Sequence, residues 1–83
     1  MSNDPYEHVL QIVRRVLQLG EFNVMTDFFD LGAGSLAILQ ITELVSDECD
    51  VPVSVTDTFD APDVDSFARL VAQRRNSAAG STG

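Results

Sequence analysis

The chain contains no lysine and no tryptophan, and its only basic residues are five arginines. Without lysine it has no candidate for Schiff-base chemistry and cannot end a phosphate-cradling loop in Gly-Lys-Ser/Thr. Cysteine occurs once, at Cys49. No intramolecular disulfide or cysteine zinc site can form, which suits a reducing compartment, and a cytoplasmic location is expected. Histidine also occurs once, at His8. It lies in a helical stretch away from any nucleophile, as a solvated or packed helix histidine would. Cys49 stands between Glu48 and Asp50, whose charge disfavours a thiolate. No metal site is expected. The N-terminus lacks a basic segment followed by an apolar run, so no secretory signal is read. No apolar stretch is long enough to span a bilayer, so no membrane partner is expected.

Acidic residues are abundant instead: thirteen carboxylates give a formal charge of -8 over 83 residues. Such a surface repels nucleic-acid phosphate and excludes that class of partner. It either keeps a small domain soluble or steers the basic patches of partner proteins toward it. A chain of this length makes one domain, burying roughly 60% of its unfolded surface.

The apolar spacing is helical almost throughout and predicts an all-α fold, a small four-helix bundle. Three long helices are expected at about 5–18, 35–48 and 63–75, with a short helix at about 56–60. The first opens with Asp4 as cap, Pro5 at the first helical position and Glu7 where a capping-box acid would reach back. Val9, Leu10, Ile12, Val13, Val16 and Leu17 form its stripe, and Leu19-Gly20 ends it. A long loop over 20–34 follows. Its anchors are Phe22, Val24, Met25, Phe28, Phe29 and Leu31. Burying Phe28, Phe29 and Leu31 contributes about 1.5–3 kcal/mol each, so the loop should be pinned to the core.

In the second helix Leu36, Leu39, Ile41 and Val45 are expected to face the core, with Ile38 and Leu44 flanking. Asp47 and Glu48 near its C-terminus oppose the helix dipole, a cost that suggests service to a partner. Val51-Pro52-Val53 is extended. Asp63 is expected to cap the last helix, whose stripe is Val64, Phe67, Ala68, Leu70 and Val71, with Arg74 and Arg75 at its C-terminal end. Residues 1–75 are expected to form the domain and 76–83 a small, polar, disordered tail.

The remaining candidate for chemistry is Asp27-Phe28-Phe29-Asp30-Leu31-Gly32-Ala33-Gly34-Ser35-Leu36. A calcium loop from Asp27 fails, because Phe29, Leu31 and Ile38 stand where ligands belong. A nucleophile elbow fails, because Ala33 and Ala37 occupy its glycine positions. Two readings stay open: a plain serine helix cap, or a serine that is itself modified, with the helix N-terminus favouring an attached phosphate.

Taken whole, Phe28-Phe29-Asp30-Leu31-Gly32-Ala33-Gly34-Ser35-Leu36 resembles the attachment motif of phosphopantetheine carrier proteins, Phe-Phe-x-Leu-Gly-Gly/Ala-Asp/His-Ser-Leu. Thr58-Phe59-Asp60-Ala61-Pro62-Asp63-Val64 is similar to that family's Phe-x-x-Pro-Thr-Val turn. The resemblance covers about residues 5–75, and the doubled phenylalanine is most like the peptidyl carriers of nonribosomal peptide synthesis.

It implies a non-catalytic carrier with 4'-phosphopantetheine, from coenzyme A, attached to Ser35. The arm would hold an aminoacyl, peptidyl or acyl thioester. A phosphopantetheinyl transferase and adenylation, condensation or tailoring enzymes would be the partners. Leu36, Ile38, Glu43, Asp57 and Phe59 are expected to form or support the docking face, although core packing also accounts for Leu36 and Phe59. A monomer is expected, and the Met1 start with a short tail favours a free-standing carrier. The alternatives are a fatty-acid or polyketide acyl carrier, and an unmodified acidic helical adaptor. Gly34 departs from the family's Asp or His.

Overall fold

The computed structural model describes residues 4–80, which contain four helices and no strand. They are α1 (Pro5–Leu17), α2 (Ser35–Glu48), α3 (Val55–Asp60) and α4 (Val64–Gly80). Among the described residues, no helix is long and apolar enough to cross a membrane.

Helix α1 starts with Pro5 in its first turn and the Asp4 carboxylate accepting from the Tyr6 amide at 3.2 Å, as expected, but Glu7 closes no capping box with Asp4. Its end differs from expectation. Gln18, not Gly20, adopts the left-handed conformation (φ 55°), and the Leu19 amide closes back on the Arg14 carbonyl. A backward bond of this kind satisfies a free carbonyl, and Leu19, packed against the core, holds the turn.

Helix α4 runs further than expected, to Gly80 rather than about residue 75, so residues 76–80 of the expected disordered tail are helical. Ala78 and Ala79 favour helix and no proline interrupts. Residues 81–83 lie outside the described residues. Arg74 and Arg75 are therefore interior to α4, and both reach sideways. Arg75 donates to the Cys49 carbonyl at 2.8 Å.

The core joins one stripe from each long helix: Val9, Ile12 and Val13; Ile38, Ile41 and Val45; Val64, Phe67, Ala68 and Val71. The inward face of α2 is rotated from the expected one. Ile38 is fully buried, whereas Leu36 and Leu39 are exposed. The buried stripe is Ile38, Ile41, Thr42 and Val45, at helical spacing, and its polar member Thr42 hides it from a count of apolar residues. The Thr42 hydroxyl lies 2.6 Å from that of Thr58, so α3 supplies the partner that makes its burial tolerable. Phe28 alone of the phenylalanine pair enters the core. Its ring meets Phe67 edge-on at 5.6 Å, while Phe29 points outward.

Polar contacts set the helices' relation to one another. The Tyr6 hydroxyl donates to Asp65 at 2.6 Å, binding α1 to α4, and this bond raises the tyrosine's pKa. Glu48 accepts from His8 at 2.8 Å and from Arg15 at 3.3 Å, which lowers its pKa. The conflict of Glu48 with the helix dipole is thus offset inside the chain by His8 and Arg15. The Cys49 thiol is buried, and burial pushes its pKa up.

Candidate functional site

The long loop delivers Ser35 to a defined place. Asp27 folds its carboxylate onto the Phe29 amide at 2.7 Å, and the Leu31, Gly32 and Ala33 amides turn back onto carbonyls of residues 27–29. Gly32 takes φ +95°, a conformation that favours glycine. Ala33 is buried, so the chain is anchored two residues before the serine.

Loop and α4 are also stitched together. The Val64 amide donates to the Thr26 carbonyl at 3.2 Å and the Asp65 amide to the Val24 carbonyl at 2.8 Å. The Asp63 carboxylate takes the Ser66 amide at 2.8 Å, as expected of a cap.

The start of α2 is the opposite case. Gly34 is its N-cap and offers no side-chain bond, and the first turn holds no acidic residue. The helical ladder begins with Ile38 donating to Gly34 at 3.0 Å. The amides of Ser35, Leu36 and Ala37 therefore project from the helix end, unused by the ladder. Ser35 is exposed at the first helical position and does not act as the cap. Its hydroxyl stands on an outward surface, at the positive end of the helix dipole. These features fit an attached phosphodiester: the oxygen is free, the neighbouring amides can accept negative charge, and no carboxylate on that turn repels it.

Gly34 is not demanded by the backbone. Its φ of -95° suits any residue, and an added Cβ would meet nothing within 4 Å. Gly34→Asp should raise stability by only a few tenths of a kcal/mol, by supplying the missing cap. A thermal melt checks this, and a clear loss of stability would contradict the described helix start.

Large apolar side chains are exposed on α2 after Ser35, on the loop before it and on α3. Leu36 is 68% exposed, Leu39 39%, Phe29 50% and Phe59 43%. Phe59 lies against Phe29 with ring centroids 5.8 Å apart, joining α3 to the loop. Leu39, one turn beyond Ser35, shares its side of α2. Exposed carboxylates surround these groups in sequence: Asp30, Glu43 and Asp60, with Asp47 further along α2.

Of the residues expected at a docking face, Leu36, Glu43 and Phe59 are exposed, and Ile38 is not, being part of the core. Asp57 is engaged within the chain. Its side chain accepts from the Ser54 amide at 3.0 Å in a capping box and from Arg74 at 2.8 Å. Phe29 and Leu39, expected to be buried, are exposed as well. The helical spacing of Leu39 from Ser35 and Leu36 is the sequence signal that groups it with them.

The Arg74 bond, followed by the Ser54 amide bond, holds the Asp57 carboxyl at about 2, below its ordinary 3.8. Because the folded value is depressed, the pair contributes fully above pH 3.8 and loses its contribution as pH falls toward 2. Asp57→Asn should cost on the order of 1 kcal/mol near neutrality and almost nothing at about pH 2. Denaturant titrations at both ends of that window measure the difference, and a constant gap would count against it.

A groove of about 640 Å³, lined by Arg15, Val16, Gln40, Glu43, Leu44 and Asp47, opens between α1 and α2. Leu44 lies half a turn round α2 from Ser35, so the groove extends away from the serine, with Glu43 at the border between them. Attaching a tether at Ser35 needs an accessible oxygen, not a cavity.

A family model described as a phosphopantetheine attachment site matches residues 7–71. Surfactin synthase subunit 1 of Bacillus subtilis is 33% identical over 79 residues, covering 95% of this chain and 2% of that protein. The solution structure of a non-covalent extended docking domain complex of the Pax NRPS, PaxA T1-CDD/PaxB NDD, matches with a TM-score of 0.79 at 20% identity. That match covers 98% of this chain and 77% of the other. At that identity the likeness is one of fold.

Proposed function

We propose, from the premise that this chain belongs to the phosphopantetheine attachment-site family, that Ser35 carries the arm and that the protein shuttles its cargo between enzymes. The family's arm is a covalently attached 4'-phosphopantetheine. When bound, its terminal thiol holds cargo as a thioester. The observation that carries the reading is the bare start of α2, where Ser35 is exposed beneath an apolar rim. The likeness to surfactin synthase and to the Pax NRPS fold favours aminoacyl or peptidyl cargo over fatty acyl cargo.

The chain's own part is physical, not catalytic. Residues 1–75 are the working unit in this reading. The anchored loop presents the Ser35 hydroxyl to a phosphopantetheinyl transferase, which with magnesium joins that oxygen to the phosphopantetheinyl phosphorus of coenzyme A; the pyrophosphate bond breaks, and adenosine 3',5'-bisphosphate and the serine proton leave. Tethering then raises the effective concentration of cargo at each enzyme in turn. Leu36, Leu39, Phe29 and Phe59 supply a small apolar contact, and Glu43, Asp30 and Asp60 steer basic rims of adenylation, condensation or tailoring enzymes. Glu43 acts at this rim, while Asp57 supports the face from within. Contacts of this size release quickly, as successive visits require.

Incubation with coenzyme A, magnesium and a broad-specificity phosphopantetheinyl transferase should add one phosphopantetheinyl mass per chain. No gain with any transferase tried would favour an unmodified helical adaptor. Challenge of the loaded protein with adenylating enzymes and amino acids, against acyl donors, separates peptidyl from acyl carriage. Leu36→Arg should slow loading about tenfold or more, since a charge would sit at the centre of the apolar contact. Its melting temperature should stay near that of the parent. Unchanged loading would remove Leu36 from the docking face.

A further inference from the structure

Arg74 is the side chain of α4 that grips α3. Its Nη1 donates to the Asp57 carboxylate at 2.8 Å and to the Pro52 carbonyl at 3.0 Å, and its Nη2 faces the second Asp57 oxygen at 3.4 Å. One planar guanidinium thus holds both the extended approach to α3 and its first turn. Asp57 is also the third residue of α3's capping box with Ser54. Pulling on Asp57 therefore pulls on the start of the helix.

Helix α3 has only six residues, too few to be stable by itself. Its buried attachment is to α2, through the Thr42–Thr58 hydroxyl contact of 2.6 Å. Val55 at its start also packs against the core. Arg74 adds a charged hold from α4, on the first turn of the helix. Phe59 follows Thr58 directly and projects to the surface, where it meets Phe29. The chain of contacts runs from Arg74 through Asp57 and α3 to the exposed Phe29–Phe59 pair.

We propose that Arg74 is a positioning residue for partner recognition: it fixes the tilt of α3 and thereby holds Phe59 against Phe29 in the docking face. The inference rests on the reading of that face given above. Arg74 touches neither Ser35 nor the docking surface, and it acts only through α3.

The test uses the full chain, coenzyme A and a broad-specificity phosphopantetheinyl transferase as the docking probe. In Arg74→Gln the KM for the carrier should rise about threefold to tenfold while kcat stays within about twofold. Arg74→Lys, which keeps the charge near Asp57, should recover part of the loss. The nuclear Overhauser effect between the Phe29 and Phe59 rings should weaken in Arg74→Gln.

In a Phe59→Ala background, adding Arg74→Gln should change KM no further, because the residue through which it acts is gone. Independent, multiplying effects of the two substitutions would overturn the proposal. So would an unchanged KM in Arg74→Gln once its two rings have moved apart. If Arg74→Gln fails to fold, Arg74→Lys and its double variant with Phe59→Ala carry the same comparison. Failure of the wild type to load overturns the carrier reading itself, whereas normal loading with an unchanged KM in Arg74→Gln overturns only the role of Arg74.

Discussion

Ser35→Ala will take up no phosphopantetheinyl group under conditions in which the parent protein is fully converted, and its melting temperature will barely change. Both halves follow from the bare helix start. The hydroxyl is exposed and caps nothing, because the cap position belongs to Gly34, so its removal sacrifices no structural bond. The effect on modification should be all or none: among the other serines with described side chains, Ser66 is half-buried in the first turn of α4 and two are engaged within the chain. Ser46 spends its hydroxyl on the Val51 carbonyl at 3.0 Å. Ser54 also stands before a helix and is exposed, but its oxygen is committed to the Asp57 amide at 3.2 Å.

Ser54→Ala is therefore the informative control. It should still be loaded, while losing about 1 kcal/mol for the cap. Intact mass and a melt on the same three samples decide the matter. A full mass gain in Ser35→Ala would mean that the arm attaches elsewhere.

Phe28→Ala, by contrast, should bring the fold close to collapse. Phe28 is buried and meets Phe67 edge-on at the junction of the loop with α4. Truncating a buried phenylalanine costs about 3–5 kcal/mol. A domain of this size has on the order of 4–12 kcal/mol in total, so the loss takes a large share of it. The melting temperature should fall by about 15 °C or more.

The neighbouring Phe29→Ala, at a half-exposed ring, should cost under about 1 kcal/mol and show itself in docking instead. Chemical denaturation of the two variants side by side distinguishes them. Equal losses would show that the loop buries both rings, contrary to the structure.

The contrast between these two residues shows where the sequence is legible and where it is not. Helix positions follow from apolar spacing, and Asp4, Pro5 and Asp63 mark their starts correctly. Ser35 is placed by the motif around it. The inward face of α2 is misread because the helix carries apolar residues nearly all round. Leu36 and Leu39 look as core-like as Ile38 and Ile41. The deciding residue is Thr42, and its partner Thr58 is 16 positions away, a pairing that no local pattern displays.

Asp57 reads as a docking acid for the same reason. Its arginine lies 17 positions on, in a different helix. Phe28 and Phe29 are identical side chains in adjacent positions, and only the turn around Asp27 and Gly32 decides which goes in. Exposed apolar groups beside Ser35 cost the isolated domain something, and composition alone treats them as core.

The two amide bonds that sew Val64 and Asp65 to the carbonyls of Thr26 and Val24 involve no side-chain atoms. Evolution can therefore exchange the residues at all four positions with little effect on this fastening, provided Val64 and Asp65 keep their N–H groups. Proline is the one replacement that removes that donor. A family could drift widely in sequence here and still hold its serine-bearing loop to the last helix by the same stitches.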